Sequence, residues 1–377
     1  VGLMAELRQI QYRAIVYSPA ADGGPGLPKL ELTPDVLNLV WQQGLNVPGQ
    51  AAFSMTRWNK KLDVMDWMID HIKIFRETPA GIKTVFAGKI IKSSYSARDV
   101  TVTCWDYASF LQRSRTGFRV MYPNKKIGTE IVGPEWALAK GVDKSPFTFV
   151  ATGTIEDPLA LDGATAIISN SEFGVIDFDR MFLFYALAEL SMANTSNTVV
   201  FEITREAPHT FNFWKNRSTK RTNYSFAPGT QIDYDYSGNE DQIVNDIATI
   251  IVDPITGEQV EYGLTDTASK DLYRRLQSAV TIKTLFGLNN GTTATDQQKA
   301  AMARMLSVGA IPPSMVVAFP RQNEFQPFVN CDLGDTFRVT IPLADRNGDE
   351  LDAYMKWAGV TAAWTPDAGE LLQVFLK

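Results

Sequence analysis

The chain holds two histidines, His71 and His209, and two cysteines, Cys104 and Cys331. These residue types do nucleophilic and metal chemistry, so their settings come first. His71 lies in an alternating run with Ile72, Ile74 and Phe75, and His209 follows Pro208 where a strand begins. Neither has a Cys, Asp or Glu at metal-ligand spacing, which argues against a zinc site. A Ser–His–Asp triad assembles in space and leaves no fixed spacing, but no nucleophile-elbow motif accompanies either histidine. Both cysteines sit in apolar, strand-like runs and read as reduced core residues; two are too few for a disulfide framework. No catalytic, cofactor-binding or metal-binding residue is assigned.

Weaker motifs follow the same course. Gly23-Gly24-Pro25-Gly26 lacks the Lys-Ser/Thr of a phosphate-cradling loop, and Pro25 removes an N–H donor. Asp345, Asn347 and Asp349 imitate the start of a calcium loop, yet Lys356 stands where a bidentate Glu is required. A polar hairpin turn is the better reading. The acidic pairs Glu156-Asp157 and Asp349-Glu350 could serve a glycosidase, but adjacent side chains on a strand or turn point apart. Two basic-aromatic stretches remain. One holds Arg113, Arg115, Phe118, Arg119, Tyr122, Lys125 and Lys126; the other holds Trp214, Lys215, Arg217, Lys220, Arg221 and Tyr224. Interleaved cations and aromatics suit single-stranded nucleic acid, a solvated loop or a protein interface. The acidic overall balance disfavours the first of these.

The elements that would position these residues are mostly strands. In residues 9–17, Ile10, Tyr12, Ala14 and Val16 share a face. Residues 21–28 read as a Gly/Pro loop. Further strands are predicted over 52–58 (Phe53 and Met55 inward), 71–76, 83–91 (Phe86 and Ile90 inward) and 100–104. Gly88 marks a bulge or close backbone approach in the third of these. A helical turn is predicted at 63–67 and a short closing helix at 107–113. In the middle, Gly133-Pro134, Ser145-Pro146 and Asp157-Pro158 read as loop. A helix is predicted over 177–193, with Phe182, Leu183, Ala186, Leu187 and Leu190 on one face. Strands return over 198–236. Helices are predicted over 266–278, with Leu272, Leu276 and Ala279 inward, and over 294–308. The last 65 residues are β again, with strands at 315–319, 336–341, 356–364 and 371–376 and an Asn347-Gly348 hairpin signal.

A chain of 377 residues, 45% hydrophobic and 21% charged, is a folded protein of two or three domains, neither disordered nor a disulfide scaffold. The longest apolar run, Met181 to Ala188, is too short for a membrane span. Residues 1–10 carry charges and no apolar h-region, which predicts a protein made and used without secretion. Residues 1–130 hold 17 basic and 11 acidic side chains; residues 131–377 hold 19 and 31. That asymmetry suits a two-sided assembly with different electrostatic neighbours.

The order of elements resembles the tail-tip (baseplate) hub or minor tail proteins of long-tailed bacteriophages. The residues that carry the resemblance are Ala51-Ala52-Phe53-Ser54-Met55, Val85-Phe86-Ala87-Gly88-Lys89-Ile90, and Val100 to Tyr107 leading to Leu111 and Arg113. Asp271, Tyr273, Arg274 and Arg275 are similar to a short helix of actinobacteriophage minor tail proteins, as is the strand in Cys331 to Val339. Residues 126–173 match nothing in that pattern.

The resemblance implies a mainly β fold with α+β insertions, in which two β-barrel hub domains carry inserted mixed domains. The barrels would be 1–113, and 201–240 with 310–377; an α+β domain would occupy 114–200 and a helical domain 241–309. It implies a non-enzymatic virion protein at the tail tip, assembled in the host cytoplasm. Such a protein caps the tail tube and adapts six-fold symmetry to three-fold. The implied partners are two further copies in a homotrimer, the distal tail or tail tube protein, the tape measure protein, and tip or fibre proteins. No membrane span and no sequence-specific nucleic acid is implied. Trp58, Trp67 and Trp214 are the expected interface anchors. A tail-associated cell-wall hydrolase and a host-surface carbohydrate-binding module are the alternatives.

Overall fold

The computed structural model describes residues 10–116, 125–158, 167–168, 181–192, 199–215, 217–227, 231–238, 245–252, 259–265, 267–273, 277–283, 313–320, 325–342 and 350–377. Seven strands come first: β1 (Gln11–Pro19), β2 (Pro25–Glu31), β3 (Val36–Gly44), β4 (Val47–Thr56), β5 (His71–Thr78), β6 (Gly81–Tyr95) and β7 (Asp99–Asp106). The middle holds β8 (Lys125–Lys126), α1 (Gly133–Gly141), β9 (Ala151–Ile155), β10 (Ile167–Ile168), α2 (Leu183–Met192), β11 (Val200–Ile203) and β12 (Thr210–Trp214). Then come β13 (Lys220–Phe226), β14 (Gln231–Gly238), β15 (Asp246–Val252), β16 (Gln259–Thr265), α3 (Thr267–Tyr273) and β17 (Gln277–Lys283). The chain ends with β18 (Pro313–Pro320), β19 (Thr336–Pro342), β20 (Glu350–Thr365) and β21 (Gly369–Leu376).

Period-two alternation builds the first group of strands. Tyr12, Ala14 and Val16 on β1, Phe53 and Met55 on β4, Phe86 and Ile90 on β6, and Val100, Val102 and Cys104 on β7 are all buried. Gly88 is needed where it stands, because a Cβ there would lie 2.0 Å from Trp105 O of the neighbouring strand. Asp106 caps the 3-10 helix Tyr107–Gln112 through Ser109 N. Sequence reading passed over β3, whose alternation puts Leu39 and Trp41 in the core. It also ended the Gly/Pro loop too late: β2 begins at Pro25 and pairs antiparallel with β1. Two prolines are tolerated there because β2 is an edge strand.

Both ends of the chain join one 13-stranded sheet, in the order β14-β18-β21-β20-β3-β4-β7-β6-β5-β1-β2, with β19 beside β20 and β13 beside β19. The joint is β20, sixteen residues long. Its first half pairs β19, and its second half lies between β21 and β3. The expectation of two separate barrels is therefore corrected in one respect. The two strand groups share a continuous sheet and one core, and among the described strands neither group closes. The first group nevertheless curls strongly. Trp41 of β3 reaches Tyr12 of β1 through Nε1 at 2.9 Å, although four strands separate them in the sheet order.

Residues 107–213 supply a second core. Gly133-Pro134, expected as loop, begins α1 instead, which runs on directly from the π-helix Gly128–Val132. α2 begins at Leu183, and Leu183, Ala186, Leu187 and Leu190 are buried as the spacing predicts. β11 and β12 form a three-stranded sheet with β9. Residues 201–214, assigned above to the second barrel, thus belong with the insertion, because Phe201, Phe211 and Phe213 complete its core.

The segment 241–309, expected to be helical, holds the three-stranded sheet β16-β15-β17 and the short α3. The helix expected over 266–278 ends at Tyr273, and Ala279, expected inward, is an exposed residue of β17. Pairing of β17 along β15 overrides the helical spacing. The helix expected over 294–308 and the Asn347-Gly348 turn lie outside the described residues. β19 and β20 pair antiparallel from Pro342 opposite Glu350. Among the described residues no helix is long and apolar enough to cross a membrane.

Candidate functional site

The fold brings the two histidines together. His71 begins β5 and His209 precedes β12, and Tyr107 lies between them. Its ring centroid is 5.7 Å from that of His71 and 4.8 Å from that of His209, with Phe149 alongside both. His71 Nδ1 and Tyr107 OH share a hydrogen bond of 2.9 Å. The Nδ1–H of His209 donates to Thr204 O at 2.7 Å. Both Nε2 atoms are buried without a protein partner. Burial holds both imidazoles below their ordinary range; for His71, with the Lys89 charge and His209 adding to it, the value falls to about 3. The pair is a neutral aromatic hinge between the main sheet and the second core.

The acids are committed to structure. Asp157 accepts from Thr129 N and Thr129 Oγ1, holding the turn of π-helix Gly128–Val132. Glu156 accepts from Lys215 N. A small cleft opens where β3, β4, α2 and β11 meet, and Asp106 and Glu202 both line it. Burial raises Asp106 to about 6, but its oxygens are taken by Gly49 N, Ser109 N and Ser109 Oγ. Glu202 is paired to Arg217 at 2.5 Å. Asp345, Asn347 and Asp349 lie outside the described residues. Among the described residues no three His, Cys, Asp or Glu side chains converge on one point. The loop at Gly23-Gly24 packs against Thr148 and Phe149. Cys104 and Cys331 are buried free thiols, pushed above the ordinary range by that burial.

The two basic-aromatic stretches part ways. In the second, Arg217 stacks on Trp214 and pairs with Glu202 and Asp332. Arg221 pairs with Asp335, and Tyr224 sits among Phe226, Phe325 and Phe337. That stretch clamps the second core to the loop before β19, where Gly334 (φ +93°) lets Arg217 O approach. In the first, Phe118, Arg119 and Tyr122 lie outside the described residues. Lys125 faces Glu130, and Lys126 pairs with Ile167 across β8 and β10. Arg113 lies over Trp105 at 4.5 Å and Arg115 over Phe182 at 5.7 Å. Of the expected anchors, Trp58 is 80% exposed, while Trp67 and Trp214 are half-buried.

Sequence reading missed a buried polar network. Arg76 donates to Glu370 through Nε at 2.8 Å and Nη2 at 2.7 Å, and through Nη1 to Gln326 at 2.9 Å. Tyr12 OH also donates to Glu370. Arg76 and Glu370 are fully buried. The signal was present in the alternation: Ile72, Ile74 and Arg76 share a face, so Arg76 had to enter the core. This ion pair ties β5 to the start of β21, and so the first strand group to the last.

A surface remains that the core does not use. Lys89, Trp105, Gln50, Gln42, Thr361 and Gln373 form one cross-strand row on the outward side of six adjacent strands. The parallel row is Lys92, Thr103, Ala52, Val40, Ala363 and Leu371. Val40 and Leu371 are 41% and 43% exposed.

No protein-family model matches the chain. No curated protein matches it either. Solved structures do. Over 97% of its length the chain is similar to 98% of the 43 kDa tail protein of prophage MuSo2 from Shewanella oneidensis, with a TM-score of 0.58 at 12% identity. The chain has the fold of prophage tail proteins. A tail protein from Neisseria meningitidis MC58 matches 97% of the chain over 96% of its own, with a TM-score of 0.55 at 12% identity. The prophage tail protein gp18 from Listeria monocytogenes EGD-e matches 96% over 94%, with a TM-score of 0.53 at 10% identity. The likeness thus spans 96–97% of the chain.

Proposed function

We propose that the chain is a structural component of a phage tail tip: a homotrimeric hub that caps the tail tube and anchors the proteins that meet the host. The observation that carries this reading is the likeness to prophage tail proteins, with nearly all of both chains covered. The two strand groups joined at β20 serve as two similar lobes per subunit. Three subunits then offer six lobes to a six-fold tube, while the core at 107–213 and the sheet β16-β15-β17 stay three-fold. The partners are the tube or distal tail protein and the tape measure protein on one side, and tip or fibre proteins on the other. The protein works by binding, without catalysis of its own. Trp58, exposed beside Arg57, serves as an anchor.

The test is placement in the particle. Immunogold labelling of virions induced from the host should mark the tail tip, and a cryo-EM map should show three copies around the axis. Particles that assemble complete tails and infect normally without this gene would refute the reading. Hydrolysis of host peptidoglycan by the purified chain, abolished by one acidic substitution, would move it to the hydrolase class.

A further inference from the structure

The outward rows across β6, β7, β4, β3, β20 and β21 have an unusual composition. Their twelve positions hold two lysines and no acid, in a chain with 42 acidic and 36 basic residues. An ordinary soluble surface is roughly 25–35% charged with both signs mixed. An obligate protein interface would be more apolar, but most of these positions are Gln or Thr or a lysine. Six strands at the usual spacing make a face about 24 Å wide. The one cationic end is built from Lys89, Lys92 and Arg113. Among the described residues none of the three meets a carboxylate within ion-pair distance, and Lys89 and Arg113 instead lie over Phe110 and Trp105.

We propose that this face contacts the phosphate backbone of double-stranded DNA without reading its sequence. The inference rests on the tail-tip reading and names what that tip's sheet lies against. Charge complementarity chooses the occupant: unpaired cations at one end, and nowhere along the rows an acid to repel phosphate. The shape chooses duplex over single strand. The face is an open sheet rather than a groove, and the Arg113 guanidinium covers the Trp105 ring on which a base would stack. Of the ten neutral positions, Gln42, Gln50, Gln373, Thr103 and Thr361 offer weak hydrogen bonds, and the other five are apolar and carry no charge that would hold a backbone in one register. Burial holds the Lys89 ammonium below its ordinary range, and a phosphate oxygen supplies the counter-charge it lacks.

The test uses the purified full chain and a labelled short duplex, followed by fluorescence anisotropy at low and rising salt. Binding should be sequence-independent, with a Kd of roughly 10⁻⁴–10⁻⁶ M and a log–log salt slope near roughly −3 for three phosphate contacts. Lys89→Gln, Lys92→Gln and Arg113→Gln together should weaken it at least about tenfold and flatten the slope. Because Lys89 packs on Phe110, a second set uses only exposed positions. Gln42→Glu, Gln50→Glu and Gln373→Glu place acids on the face and should weaken binding with the melting curve unchanged. Absence of duplex binding at low salt, indifference to both sets, or tighter binding of the single strand would each overturn the proposal. If the label marks the tail tip and duplex binding is absent, this inference alone falls. If binding holds and the label is absent from particles, the tail-tip reading falls.

Discussion

Arg76 and Glu370 are the most demanding residues in the molecule. Two charges without water are tolerable only when each is fully engaged, and here the guanidinium meets both carboxylate oxygens, Gln326 and the neighbourhood of Tyr12. Removing one partner leaves the other charged and stranded. Glu370→Gln should therefore destabilise the fold by about 3–5 kcal/mol, whereas Arg76→Met combined with Glu370→Leu should recover most of the loss. Urea unfolding of the three proteins measures both. The histidines give a pH signature. His71 binds its proton in the unfolded chain near pH 6.5 and in the folded chain only near 3. Between those values the unfolded state holds more protons, so stability is lost as pH falls, by about 1.4 kcal/mol per pH unit for one such group. His209, lowered by its burial, acts in the same direction. Asp106, raised to about 6 by burial, acts in the opposite direction between its unfolded value and 6. His71 is displaced further from its ordinary value than Asp106, so the melting temperature should drop from neutral to acid pH. His71→Gln should flatten that slope; an unchanged slope would show that His71 is not its source.

At the scale of elements, backbone approach decides more than propensity. β6 and β7 come so close at Gly88 that any side chain there meets the Trp105 carbonyl. Gly88→Val should cost more than about 2 kcal/mol and lower soluble yield, whereas Gly141→Ala, where a Cβ meets nothing within 4 Å, should be nearly neutral. Comparing the two melting curves separates steric exclusion from a general intolerance of glycine replacement. β20 shows the complementary case. Its sixteen residues serve two strand groups in succession, which is why no turn signal divides them.

For the whole molecule, two cores imply two levels of stability. The main core unites both ends of the chain, while residues 107–213 pack around Trp136, which stacks on Phe211 at 4.3 Å. Trp136→Ala should cost about 3–5 kcal/mol. Hydrogen exchange should then rise first in α1, α2, β11 and β12, with β3, β4 and β7 still protected. Simultaneous loss of protection in both regions would mean that the histidine hinge couples them into one unit. The charge asymmetry along the chain also finds its place at this scale. The unpaired cations Lys89, Lys92 and Arg113 lie in the first strand group, and Asp332, Asp335 and Asp352 in the last are all paired with arginines.

Local alternation determined a great deal. It placed Tyr12, Phe53, Phe86, Val102 and Cys104 in the core, named Gly88 as a close approach, and found the face of α2. These are short-range properties, since period and steric size act within a strand or turn. The mainly β character and the tail-protein likeness also came from the order of such elements. What sequence could not determine lay in pairings between distant segments. Nothing local tells Glu370 that its partner is Arg76, or His209 that it will share Tyr107 with His71. Nothing local fuses the two strand groups, because β20 meets β3 only when the ends of the chain come together. The same holds for the end of the helix expected over 266–278, where Gln277 and Ser278 instead join β17 beside a parallel partner, β15, across an intervening helix. The outward rows are the clearest case. Lys89, Gln42 and Gln373 stand far apart in the chain, and only register across six strands aligns them into one acid-free face.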